Sequence, residues 1–133
     1  MADPTSFHTG WLLDPAEREA LLPRFPPRYP RVVAHHVTLK FGDAEARAPG
    51  PVAAEIVGEA DDGAGVQALV VRIDGDTARP DGGTFHVTWS LGPGREARES
   101  NDVIAARGWT PAQPPAALRL RPKPPAAVAP SEC

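Results

Sequence analysis

Cysteine is almost missing from this chain of 133 residues: the single thiol is Cys133, behind a proline- and alanine-rich stretch. No disulfide closes within the sequence, and no thiolate cluster is there to hold a metal. Long apolar runs are missing too. Nothing approaches the roughly 20 residues that span a bilayer, and Met1-Ala2-Asp3-Pro4 lacks the charged and apolar regions of a secretion signal, so a cytoplasmic protein without membrane attachment is expected. There is no basic excess, since 14 Lys and Arg face 17 Asp and Glu for a net charge of -3. That balance argues against DNA and long RNA, which demand a cationic footprint; an RNA end or a small nucleotide still fits.

The length suits one domain, or two very small lobes that share a core, and a monomer is expected. We place that domain over residues 5–121. Residues 122–133 are expected to be a disordered tail, because proline and alanine without large apolar groups cannot offset the entropy of ordering.

Phe7-His8-Thr9-Gly10-Trp11-Leu12-Leu13 reads as a strand that ends at Asp14. Asp14-Pro15-Ala16-Glu17 then opens a helix: a capping carboxylate, a proline at the first helical position, and Glu17 placed for a capping box. The helix is expected to stop near Pro23. Residues 23–31 carry four prolines in an extended connection, either a stiff crossover or a ligand for an SH3-like partner. A β-branched run predicts one strand over residues 32–41. Residues 52–60 and 66–73 flank Asp61-Asp62-Gly63-Ala64-Gly65 and predict an antiparallel hairpin. Residues 74–83 read as loop and residues 85–91 as strand. A second helix is expected to start at Ser100 or Asn101 and to end at Gly108, with residues 118–121 forming a final edge strand.

One tripeptide occurs twice, His36-Val37-Thr38 and His86-Val87-Thr88, each inside a predicted strand. Side chains alternate along a strand, so His36, Thr38 and Lys40 share one face while Val37, Leu39 and Phe41 share the other. By the same rule His86, Thr88 and Ser90 oppose Phe85, Val87, Trp89 and Leu91. Each strand therefore presents an imidazole and a hydroxyl above an apolar face. His35 is expected to turn away from His36, and His8 to lie opposite Thr9 and Trp11.

Two imidazoles, whose ordinary pKa is near 6.5, suit the opening of a cyclic phosphodiester: one takes a proton from water and the other gives one to the leaving oxygen. Thr38 and Thr88 are candidate donors to the phosphate oxygens, with Lys40 and Ser90 as further candidate contacts. This scheme requires no metal and no other cofactor. A metal site built on His35, His36 and His86 is the first rival, although adjacent histidines on a strand point apart. The second is a module that binds cyclic-phosphate RNA ends or nucleotides without turnover.

The paired motifs, the stretch His36-Val37-Thr38-Leu39-Lys40-Phe41-Gly42 and the later Glu99-Ser100-Asn101 resemble the two-histidine phosphoesterase superfamily, and within it the cyclic phosphodiesterase domain of fungal-type tRNA ligases. The resemblance covers residues 7–108. It implies an α+β, bilobal fold: two antiparallel sheets around a central cleft, related by a pseudo-twofold axis, with the helices outside. It also implies a 2′,3′-cyclic phosphate substrate opened to a 2′-phosphate, with His86 as base and His36 as acid. The two motifs are alike in sequence, so these roles rest on the resemblance alone.

Overall fold

The computed structural model describes residues 7–41, 52–80 and 82–127. The chain runs β1 (Phe7–Leu13), α1 (Pro15–Arg24), β2 (Arg31–Val32), β3 (His36–Phe41), β4 (Ala54–Asp61), β5 (Val66–Ile73), β6 (His86–Leu91), α2 (Glu99–Arg107), β7 (Thr110–Leu118) and β8 (Leu120–Ala127). The class is α+β. Two antiparallel sheets carry the strand orders β3-β1-β8 and β2-β6-β5-β4-β7.

The sheets meet at two corners where a strand changes partner, as strands do at the corners of orthogonal packings. At the first, Val33 N and Ala34 N donate to the carbonyls of Trp89 and Thr88 (2.9 and 3.0 Å), and the carbonyl of the next residue, His35, accepts from Leu13 N (3.0 Å). Pairing passes from β6 to β1 within a single residue step. Ala34, fully buried, makes the step with φ 44°, a left-handed conformation that is unusual for a residue with a Cβ. The expected continuous strand over residues 32–41 is thus corrected to two strands on different sheets. At the second corner Leu118 still faces Ala54 of β4, while Leu120 already faces Leu13 of β1.

Joined at both corners, the sheets wrap one apolar core. Trp11, Leu13 and Val37 from the first sheet meet Ile56, Leu69, Val71, Val87, Trp89 and Leu118 from the second, with Phe85 just ahead of β6 and Leu21 of α1 packed in. Trp11 meets Phe85 edge-on at 6.1 Å, and the Trp89 indole donates to the Phe25 carbonyl at 2.7 Å, so the end of α1 is tied to the core. α1 starts as its sequence requires. Asp14 caps it, accepting from Ala16 N at 3.0 Å and Glu17 N at 3.4 Å, and the Arg121 guanidinium, followed by these N–H groups, holds the Asp14 carboxyl below its ordinary pKa.

The other face of the five-stranded sheet is covered by α2: Val66, Ala68, Val70 and Leu91 pack against Ala97, Val103 and Ile104. Apolar cover on both faces explains why β5 reads as a nearly unbroken hydrophobic run. Three sequence expectations need correction here. α2 begins at Glu99 after Arg98, which makes no capping hydrogen bond, so Ser100 and Asn101 are helical and not caps. The final edge strand becomes two strands. The tail expected to be disordered from Pro122 pairs with β1 as far as Ala127; residues 128–133 lie outside the described part. The hairpin expected over residues 52–73 is present as β4 and β5.

Gly10 lies in the central strand of the smaller sheet, where a Cβ would overlap the Val37 carbonyl and the Thr38 backbone. Gly10→Ala is expected to cost about 1–3 kcal/mol through overpacking, read as a lower urea midpoint with an unchanged slope. A midpoint equal to wild type would show that β1 and β3 separate freely.

Candidate functional site

The second motif is set by β6. Val87 points into the main core, so alternation sends His86 and Thr88 to the face that α2 covers, where they are 4% and 3% exposed. His86 Nδ1 lies 2.8 Å from the Thr84 carbonyl. A carbonyl only accepts, so Nδ1 carries the hydrogen and Nε2 is the nitrogen that exchanges protons. Thr88 Oγ1 donates to the Ala97 carbonyl at 3.1 Å and lies 2.8 Å from Ser100 Oγ. Having one hydrogen, it spends it on Ala97, and Ser100 is then the donor of the second bond. The Thr88 hydroxyl ties β6 to α2.

Ser90 does not share a face with His86 and Thr88. Ser90 pairs with Gln67 while Thr88 pairs with Ala68, so Trp89 is an inserted residue that resets the alternation. Ser90 Oγ accepts from Arg28 N and Tyr29 N, both at 3.2 Å, and donates to the Gln67 side chain. It pins the proline-rich connection to β6, which leaves the hydroxyl fully engaged.

In the first motif Val37 joins the main core, and His36 and Thr38 take the opposite face, each 4% exposed. The register of β2 against β6 pairs Arg31 with Leu91 and Val32 with Ser90, and the Ala34–Thr88 hydrogen bond continues it. That register ends at Ala34, where the chain leaves β6, and β3 pairs with β1 in the other sheet, His36 facing Leu12. Each imidazole lies on the strand face opposite its core valine, His36 on the smaller sheet and His86 on the larger. Thr38 Oγ1 is buried with no hydrogen-bond partner among the described residues, which marks it as a group awaiting one.

His35 departs from expectation. Its Nδ1 lies 3.0 Å from Nδ1 of His36, with the rings 5.1 Å apart and nearly perpendicular. The bend at Ala34 puts His35 outside β3, so strand alternation does not govern it. One of the two Nδ1 atoms carries the shared hydrogen. The side chains of Lys40 and His8 lie outside the described part; in the backbone Lys40 pairs with Thr9 and His8 with Phe41.

Sequence reading missed Arg79. In the loop before β6, Arg79 N donates to the Gly83 carbonyl and Gly82 N to the Arg79 carbonyl (2.8 and 2.9 Å), which folds the guanidinium over Gly83 so closely that a Cβ there would overlap it. Arg79 is 7% exposed, and its Nη2 donates to Asn101 Oδ1 at 3.2 Å. With Gly83, Thr84, His86, Asn101 and Asp102 it lines a cavity of about 430 Å³. The available signal was the Gly82-Gly83 pair, which reads as turn punctuation when no arginine is known to lie against it.

Glu99-Ser100-Asn101 is a framework for this face. Glu99 accepts from Glu96 N and Arg95 Nε at 2.6 and 3.0 Å; these contacts, the backbone one foremost, hold its carboxyl below the ordinary value. Arg95 also pairs with Asp62 at 2.8 Å. Burial pushes the Asp62 carboxyl up, but the N–H groups of Ala64 and Val66 together with Arg95 outweigh it and leave the pKa lowered. Among the described residues no three His, Cys, Asp or Glu side chains converge as a metal site, and no helix is long and apolar enough to cross a membrane. Comparison with protein-family models, curated proteins and solved structures returns no match.

Two outcomes are expected. Nitrogen-15 shifts of the neutral His86 ring should report hydrogen on Nδ1; hydrogen on Nε2 would contradict the Thr84 contact. Ser100→Ala should cost about 1–3 kcal/mol by removing a buried donor to Thr88, measured by denaturant unfolding, and a change below about 0.5 kcal/mol would show that α2 is not indexed there.

Proposed function

We propose that the chain is a 2′,3′-cyclic phosphodiesterase of the two-histidine kind, acting on RNA ends or small nucleotides and opening the ring to a 2′-phosphate. The observation that supports this reading is the repeated His-x-Thr motif, once on β3 and once on β6, each with its imidazole and hydroxyl buried on the strand face opposite a core valine. In this reading the two sheets, which hold one motif strand each, are the lobes of a bilobal fold, with the substrate cleft between the motifs and a pseudo-twofold axis relating them.

Water attacks phosphorus opposite the 3′ oxygen while His86 Nε2 takes its proton. The Thr84 carbonyl holds the ring in the tautomer that leaves Nε2 basic, and it favours the imidazolium that forms. The bond from phosphorus to the 3′ oxygen breaks, and His36 delivers a proton to that oxygen. Thr38, whose buried hydroxyl has no hydrogen-bond partner among the described residues, donates to a non-bridging oxygen as charge develops there. Two imidazoles perform both proton transfers, so the scheme calls for no metal. The net charge of -3 accords with a short RNA end or small nucleotide in place of a long nucleic acid.

A second reading, binding of cyclic-phosphate ends without turnover, is favoured by one observation: the Thr88 hydroxyl is committed to Ala97 and Ser100. Turnover of the four nucleoside 2′,3′-cyclic phosphates separates the two. Wild type should hydrolyse them with and without chelator, and His36→Ala and His86→Ala should each lose about two to four orders of magnitude in kcat. Binding by wild type without hydrolysis would establish the second reading, and full activity in either variant would remove the first.

A further inference from the structure

We infer that Arg79 grips the substrate phosphate from the cavity beside His86, and that Asn101 positions it. The geometry leaves a vacancy for such a group, because the second motif's own hydroxyl, on Thr88, is turned inward. Charge gathers on the non-bridging oxygens during phosphoryl transfer and needs fixed donors. A guanidinium offers several N–H groups in a planar fork that matches two phosphate oxygens at once.

Three independent features fix Arg79 at that wall. Its backbone closes a turn onto the Gly83 carbonyl, and Gly83 permits the close approach of the guanidinium. Asn101 Oδ1 accepts from Nη2 at 3.2 Å while its Nδ2 donates to the Arg98 carbonyl at 2.9 Å, an arrangement that defines which end of the amide faces the arginine. Ser100, the neighbour of Asn101, is bonded to Thr88, so α2 indexes the cation against the motif strand. The cavity of about 430 Å³ lies within the range of roughly 300–1,000 Å³ typical of small-molecule sites. Asp102 on the same wall opposes additional negative charge. The ligand class is accordingly a nucleotide that carries a single phosphate, and not a polyphosphate.

This inference deepens the proposed function but needs only that a phosphate bind at His86, so binding and turnover are measured separately. Calorimetric titration of the full chain with a nucleoside 2′-monophosphate, and with the unphosphorylated nucleoside, compares wild type, Arg79→Gln, Arg79→Lys and Asn101→Ala. Arg79→Gln should bind the monophosphate about tenfold more weakly or worse, the loss of a charge-assisted contact, with nucleoside binding unchanged. Arg79→Lys keeps charge without the fork and should fall between; it also serves if Arg79→Gln fails to fold. Asn101→Ala should weaken binding less than Arg79→Gln does. Affinity within twofold of wild type in both Arg79 variants would overturn the inference. Arg79-dependent binding without turnover of cyclic phosphates would uphold it while ending the proposed hydrolysis, turnover that ignores Arg79 would end it alone, and absence of both binding and turnover would end both.

Discussion

The backbone crossing at Ala34 joins the two sheets that carry the His-x-Thr motifs. Up to Ala34 the chain bonds to β6, and from His35 it bonds to β1. A residue held at φ 44° costs on the order of 1 kcal/mol or more, and it persists only where its surroundings fix it. Here the fixing groups are the Thr88 and Trp89 carbonyls on one side and Leu13 N on the other. The consequence is geometric. β3, with His36 and Thr38, joins the smaller sheet, while β6, with His86 and Thr88, stays in the larger one. The same bend removes His35 from strand alternation and brings its ring against His36.

α2 supplies the second constraint. Its apolar residues cover the outer face of the five-stranded sheet, and its polar residues take up the groups that the sheet leaves there: Ser100 bonds Thr88, and Asn101 holds Arg79. Glu99, Arg95 and Asp62 anchor its first turn to the β4–β5 turn. A short sheet face is thereby converted into a cavity wall whose imidazole, guanidinium and amide are each oriented by a different element. Under the proposed function this division separates proton transfer, done by groups on the strands, from charge neutralisation by a cation on a loop.

The strands and their polar faces were legible because period-2 patterning is local: His36 and Thr38, and His86 and Thr88, do oppose Val37 and Val87. The hairpin was legible from its aspartate and glycine turn, and α1 from the Asp14-Pro15 start. What the sequence hid was long-range. The bend at Ala34 leaves no signature in Val-Val-Ala-His-His, because alanine is not the residue that a left-handed position favours. The inserted Trp89 moved Ser90 to the other face, an effect of pairing with β5 that no single strand reveals. Pro122 and its neighbours are ordered as far as Ala127 because β1 offers an open edge to pair with, which composition alone does not convey. Arg79 was hidden because its partner Asn101 lies 22 residues away.

Under the proposed function His36 and His86 face one phosphate. Titration of an isotope-labelled chain with a nucleoside 2′-monophosphate, followed through the assigned imidazole signals, tests it most directly. Both rings should shift together, saturate at the same ligand concentration and become harder to deprotonate in the complex, since a bound anion favours the charged form of each. A response confined to one ring, or two responses with different midpoints, would contradict the claim.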